Sequence, residues 1–199
     1  MGHVSDAEVA EGVRLAKQAI EAGKEDPDTL WMAANTLSFF GGEHVTAASV
    51  IDRALTLNPN SAHAWRLSGM VSVRQNQPDR AISAFERGMR LSPLDPLGRA
   101  FTFGLALAHF AAARYEEAVQ WLDRTLGEEP RYRLAMRTKA VCYAYLDRME
   151  EARDWANRVL ELDPGFKIAR LIASGIYLLP PEPLARYVDG LRRIGFPEE

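Results

Sequence analysis

NPNSAHAWRLSGMVSVRQNQPDRAISAFERGMRLSP, residues 58–93, decides the fold. Read with a helical period it is two amphipathic segments, joined by the polar turn Gln75-Asn76-Gln77-Pro78 and closed by Ser92-Pro93. That makes one helical hairpin. Pro59 and Pro93 stand 34 residues apart, and the same interval recurs on both sides of the stretch. Small residues open the second helix of each hairpin at Ala47, Ala81, Ala118 and Ala152, spaced 34, 37 and 34. The closing prolines Pro59, Pro93, Pro130 and Pro164 keep the same series, the odd interval being absorbed near Leu94-Asp95-Pro96. Two independent markers in one register identify an array of repeated hairpins.

Outward from this template, residues 28–59, 60–95, 96–130 and 131–164 are four full repeats of one repeat-built domain spanning 1–199. Residues 5–27 form a partial repeat, whose helix is capped by Ser5 or Asp6 and carries the stripe Val9, Val13, Ala16 and Ile20. Residues 165–199 hold another partial repeat, with a first helix expected from about Phe166 to Leu179. After Pro180-Pro181 a shorter amphipathic helix from about Pro183 to Ile194 puts Leu184, Tyr187, Val188 and Leu191 on one face, as a cap over the last apolar surface. Each helix is too short to persist alone and has to be held by its neighbours.

The bulk numbers fit such an array. At 199 residues, 47% hydrophobic and 26% charged, the chain has enough apolar surface to fold. A net charge of −3 argues against nucleic-acid binding. The single cysteine, Cys142, excludes an internal disulfide and lies in the apolar run AVCYAYL, which points to a buried, inert thiol. The longest apolar candidate for a bilayer span, IARLIASGIYLLPP, carries Arg170 and stops at paired prolines, so no membrane partner and a cytoplasmic location are expected.

The residue types at these positions give a resemblance. Trp65, Gly69, Ala81, Phe85 and Pro93 in the template, Trp31, Ala47, Ala54 and Pro59 before it, Leu105, Ala106, Tyr115, Ala118 and Pro130 after it, and Ala140, Tyr143, Ala152 and Pro164 in the last repeat resemble the tetratricopeptide repeat (TPR). Ser68 and Gly88 depart from it, standing where Leu and Ala are usual. The resemblance implies an all-α fold, an α-α superhelix or TPR-like solenoid of about eleven antiparallel helices with a C-terminal capping helix. Small residues such as Gly69 and Ala81 let helix axes approach, with Trp65 and Phe85 filling the adjacent space. Separately, the tail RYVDGLRRIGFPEE, 186–199, is similar to the C-terminus of bacterial class III adenylate/guanylate cyclases that carry such repeats after a catalytic domain. That similarity implies a regulatory role toward a catalytic domain absent from this chain.

No residue set suggests catalysis, a metal or a cofactor. His3, His44, His63 and His109 lack metal-ligand spacing, and His63 and His109 read as groove or core lining. The pairs Glu116-Glu117 and Glu150-Glu151 open second helices, where they complement the helix dipole. Gly41-Gly42 is followed by no Lys-Ser/Thr and is a turn. What remains is a surface. The first helices of a stacked array line its concave side, which places Met32, Thr36, Phe39 and Phe40, then His63, Arg66, Met70 and Arg74, then Phe103, Leu107 and Phe110, then Arg137, Val141 and Tyr145 along one groove. Aromatic and apolar groups with intervening arginines suit a protein or peptide ligand that has apolar anchors and acidic residues. Self-association, or closure by the terminal helix, is the competing use of the same face. Thr36, Met70, Leu107 and Val141 occupy the places where the family's carboxylate clamp needs Asn, so capture of a peptide C-terminus is disfavoured. Arg131, Arg133, Arg137 and Lys139 form a basic cluster that reads as a solvated face or a grip for an acidic partner.

Overall fold

The computed structural model describes residues 5–95, 98–173 and 178–199, and among them it is entirely helical. Eleven helices follow in chain order: α1 (Asp6–Ala22), α2 (Pro27–Phe39), α3 (His44–Leu57), α4 (Ala62–Arg74), α5 (Pro78–Leu91), α6 (Gly98–Ala111), α7 (Tyr115–Glu128), α8 (Arg133–Tyr145), α9 (Met149–Leu162), α10 (Ile168–Ala173) and α11 (Pro181–Ile194). Their ends follow from local chemistry. Ser5 and Glu8 form a capping box at α1, Asp26 accepts from the Asp28 and Thr29 amides at α2, and the Ser61 hydroxyl accepts from the Ala64 amide at α4. Glu116-Glu117 and Glu150-Glu151 sit in the first turns of α7 and α9.

Each turn inside a hairpin passes through a left-handed residue. Gly42 has φ 66°, Asn76 57°, Ala113 58° and Asp147 57°, and these four positions repeat the 34, 37, 34 spacing. The following amides all donate back to the preceding helix: Gln77 N–H to Ser72 O, Arg114 to His109 O and Arg148 to Tyr143 O, each five residues back, and Glu43 to Leu37 O, six residues back. This third register marker has no common residue type.

Two compact units meet between Asp95 and Pro96. In the first, α1 packs along α2, α2 pairs with α3, α3 leads onto α4, and α4 pairs with α5. In the second, α6 pairs with α7, α7 leads onto α8, α8 pairs with α9, and α11 returns to pack on α8 and the edge of α9. The residue sizes at the close approach of the two helices vary from hairpin to hairpin. A Cβ built on Gly69 would lie 2.8 Å from the Phe85 ring, whereas the equivalent pairs in the second unit are Ala106 with Leu122 and Ala140 with Ala156. Phe85, Ala81 and Leu122 are fully buried. At Gly69 the volume left out of one helix is supplied by the Phe85 ring of its partner.

Two expectations change. Trp65 is only partly buried; its ring flanks the core and its Nε1 donates to Pro59 O at 2.8 Å, so Phe85 and Leu67 carry the interior role there. The helix expected from 166 to 179 is present only as α10, with Ser174 to Tyr177 outside the described residues. The tail crosses back beside it: Ile168 N–H donates to Pro197 O and Ala169 N–H to Glu198 O, both at 2.9 Å. Phe166 and Phe196 meet edge to face, 5.2 Å between centroids.

Candidate functional site: one open and one covered groove face

In the first unit the helical period of α4 sets His63, Arg66, Met70 and Arg74 on one face, which meets the α2 segment at Trp31, Ser38 and Phe39. Met32, Phe39 and Phe40 are 54%, 51% and 47% exposed, far above what apolar side chains of a packed core show. Phe39 and Phe40 meet edge to face at 5.0 Å, and the Arg74 guanidinium lies 5.6 Å from the Phe39 centroid. Thr36 is half-buried, next to Gly12 of α1. His63 leans on the Trp31 ring at 5.5 Å.

The two arginines are held in an unusual way. Arg74 is half-buried, and its NH1 donates to Ser38 Oγ at 3.1 Å; that hydroxyl also meets His44 Nδ1 at 3.1 Å. Gln75 Nε2 donates to the His44 carbonyl at 3.2 Å and fixes the corner. Burial pushes both arginines down from the usual arginine range; for Arg66 the charge of Asp95 acts the other way. Neither has an ion pair with a carboxylate among the described residues, and Arg66 Nε has no hydrogen-bond partner there. His44 is pushed below its ordinary value, first by burial and then by Arg74. Ser38 and His44 were invisible to motif reading because they lie 6 residues apart across a turn and 36 and 30 residues from Arg74.

The second unit presents the equivalent positions in a different state. Arg66, Met70 and Arg74 correspond to Arg137, Val141 and Tyr145 one double repeat later, and Met32, Thr36 and Phe40 to Phe103, Leu107 and Ala111. There α11 covers Arg137, Val141, Tyr145 and Ala111. A Cβ on Gly190 would lie 2.5 Å from Val141 Cγ1 and 3.2 Å from Tyr145 Cε2, so only glycine allows that approach. The Tyr145 hydroxyl donates to Arg186 O at 2.8 Å and Asp189 Oδ2 at 3.1 Å, and Arg193 lies over its ring at 5.1 Å. Burial, then the hydrogen bond to Asp189, pushes the Tyr145 phenol up to about 12. Arg186 NH2 reaches the free carbonyl of Ala111 at 2.7 Å, satisfying the C-terminus of α6. Tyr187 is buried, edge to face with Phe110 at 5.9 Å and beside Arg137 and Thr138.

Four expected groove residues are therefore corrected in their surroundings. Phe103 is buried against Tyr132, Phe110 against Tyr187, Arg137 stacks over Phe166 at 4.5 Å, and Tyr145 holds α11. Of these, Phe110 and Tyr145 meet α11, while Phe103 and Arg137 meet Tyr132 and Phe166. The basic cluster also dissolves. Lys139 is buried, paired with Asp123 and 4.2 Å from the Trp155 centroid, while Arg133 pairs with Asp163 at 3.1 Å. Cys142 is wholly buried, which pushes its thiol far up and removes it as a nucleophile. Among the described residues no three His, Cys, Asp or Glu side chains gather as metal ligands, and no helix is long and apolar enough to cross a membrane.

Paired helices in one register define a helical-hairpin repeat protein of the α-α superhelix class. The chain belongs to the tetratricopeptide repeat family, whose pattern matches residues 41–96, 68–132 and 122–165. A Cell division cycle protein 27 homolog of Caenorhabditis elegans is 26% identical over 138 residues, covering 69% of this chain; the chain spans only 17% of that relative's length. Solved structures share the fold. PilW, described as a widely conserved type IV pilus biogenesis factor, has a TM-score of 0.74 at 13% identity, over 94% of this chain and 86% of PilW. MamA from Desulfovibrio magneticus RS-1 has 0.69 at 22% identity, over 79% and 86%. YrrB, described as a TPR protein with an unusual peptide-binding site, has 0.62 at 23% identity, over 89% and 92%.

Proposed function

We propose that this chain is a protein-interaction scaffold that binds a partner segment on the groove face of its first unit, with Met32, Phe39, Phe40, His63, Arg66, Met70 and Arg74 as contacts. One observation carries the reading. The α2 segment carries three large apolar side chains, each about half exposed, and its neighbour α4 carries two half-buried arginines, of which Arg74 has no carboxylate beside it and Arg66 only the charge of Asp95. Leaving such groups unpaired costs stability, which a bound partner with apolar and acidic groups offsets. Membership of a repeat family, and the peptide-binding site of YrrB, support the same class of function. A reducing, cytoplasmic setting accords with the one buried thiol.

Affinity capture from the source cell tests it. Wild type, Arg66→Glu/Phe40→Glu and the exposed control Arg87→Glu are compared. Loss of the same captured protein in the double variant alone supports the reading; equal capture by all three rejects this face. The similarity of the 186–199 tail to cyclase C-termini favours a second use, in which the scaffold regulates a nucleotide cyclase domain. The reading frame upstream of residue 1 decides that.

A further inference from the structure

We infer that the occupant of the first unit's open face is an amphipathic helix bearing acidic side chains about two turns apart. The inference rests on the groove reading above and deepens it. Its basis is internal: the repeat positions that Arg66, Met70 and Arg74 hold beside exposed Phe39 are met in the second unit, at Arg137, Val141 and Tyr145, by a helix of the chain itself. The spacing of these positions therefore accommodates a helix, with a small residue where it crosses the middle of the face.

The charges define what that helix must carry. Arg66 and Arg74 are eight residues apart on α4, on the order of 12 Å along its axis. Acidic side chains at i and i+7 of an incoming helix span roughly the same length on one face. Burial works against both guanidiniums; the charge of Asp95 offsets it in part at Arg66 and no carboxylate does so at Arg74, while Arg66 Nε has no hydrogen-bond partner among the described residues. Exposed Met32, Phe39 and Phe40 supply the apolar side of the contact. The α11 of a second copy does not fit, because its Arg186 and Arg193 would bring two more guanidiniums to a face already holding two. What suits the second unit's neutral Tyr145 is repelled at Arg74.

Two labelled synthetic peptides test this against the full-length chain by fluorescence anisotropy. One has the sequence of residues 180–196; the other differs by Arg186→Glu and Arg193→Glu, which sets two acids seven residues apart. The acidic peptide is expected to bind at least tenfold tighter, and to lose tenfold or more with Arg66→Gln/Arg74→Gln protein but nothing with Arg87→Glu. A further Val188→Pro in the acidic peptide breaks its helix and is expected to cost another tenfold. No advantage for the acidic peptide, or indifference to the arginine variants, overturns the proposal. If the proline peptide binds as well while Phe40→Glu and the arginine variants still weaken it, the helical occupant is wrong and the groove reading stands. If Phe40→Glu also changes nothing, both fall.

Discussion

The two units are built from the same repeat, yet one ends with its groove face bare and the other with that face covered by α11. Arg74 and Tyr145 show where they part. Both close the same helical face, but Arg74 leans on Phe39 and Ser38 in its own unit, whereas Tyr145 hands its hydroxyl to the backbone and side chain of α11. Met70 is half-buried, whereas Val141 is fully buried against Gly190. The scaffold is thus indifferent to occupancy. A repeat's fold rests on its small-residue contacts and turns, and its groove residues are free to specify either closure or a partner.

Substitutions that separate scaffold from groove probe this most strongly. Phe85→Ala removes the ring that Gly69 receives and should cost about 3 to 5 kcal/mol, against about 2 kcal/mol for the half-buried Trp65→Ala. Denaturant midpoints measure both, and equal losses would contradict the burial difference. Next, Gly190→Leu should lift α11 from Val141 and Tyr145, destabilise the second unit by about 1 to 3 kcal/mol and speed amide exchange in α11. Unchanged exchange there would mean that α11 does not close that face. Arg74→Met, by contrast, should raise stability by about 1 kcal/mol while weakening partner binding, because a half-buried cation without a carboxylate is replaced by an apolar group. A large loss of stability would make Arg74 a structural residue.

The smallest effect concerns pH. The folded His44 titrates below its ordinary 6.5, so between that depressed value and 6.5 the unfolded chain binds more protons. Stability is therefore full above 6.5 and falls as pH drops through this window. His44→Gln should flatten the fall in the first unit's melting temperature between pH 7.5 and pH 5; an unchanged slope removes His44 from the account.

Much of this organisation is written in local spacing. The Ala47, Ala81, Ala118, Ala152 series and the closing prolines mark the hairpins because only small residues fit close axes and only proline reliably stops a helix. The left-handed turn positions were not legible, since Gly42, Asn76, Ala113 and Asp147 share a conformation and no chemistry. The face of α11 was legible as a stripe, but its seat was not. That depends on Gly190 meeting Val141 and on Arg186 reaching Ala111, contacts between residues 49 and 75 positions apart. The exposed apolar face of the first unit was readable residue by residue, while the Ser38, His44 and Arg74 corner was not, because no motif spacing links them.

The central claim is that the first unit's groove face is open and the second's is closed by the chain itself. Carbene footprinting of the free, full-length chain, read residue by residue, tests it directly. The account predicts strong labelling at Met32, Phe39 and Phe40, and protection at Phe110, Val141 and Leu191. Comparable labelling of the two sets, or protection of Met32 and Phe40 in the free chain, would contradict it.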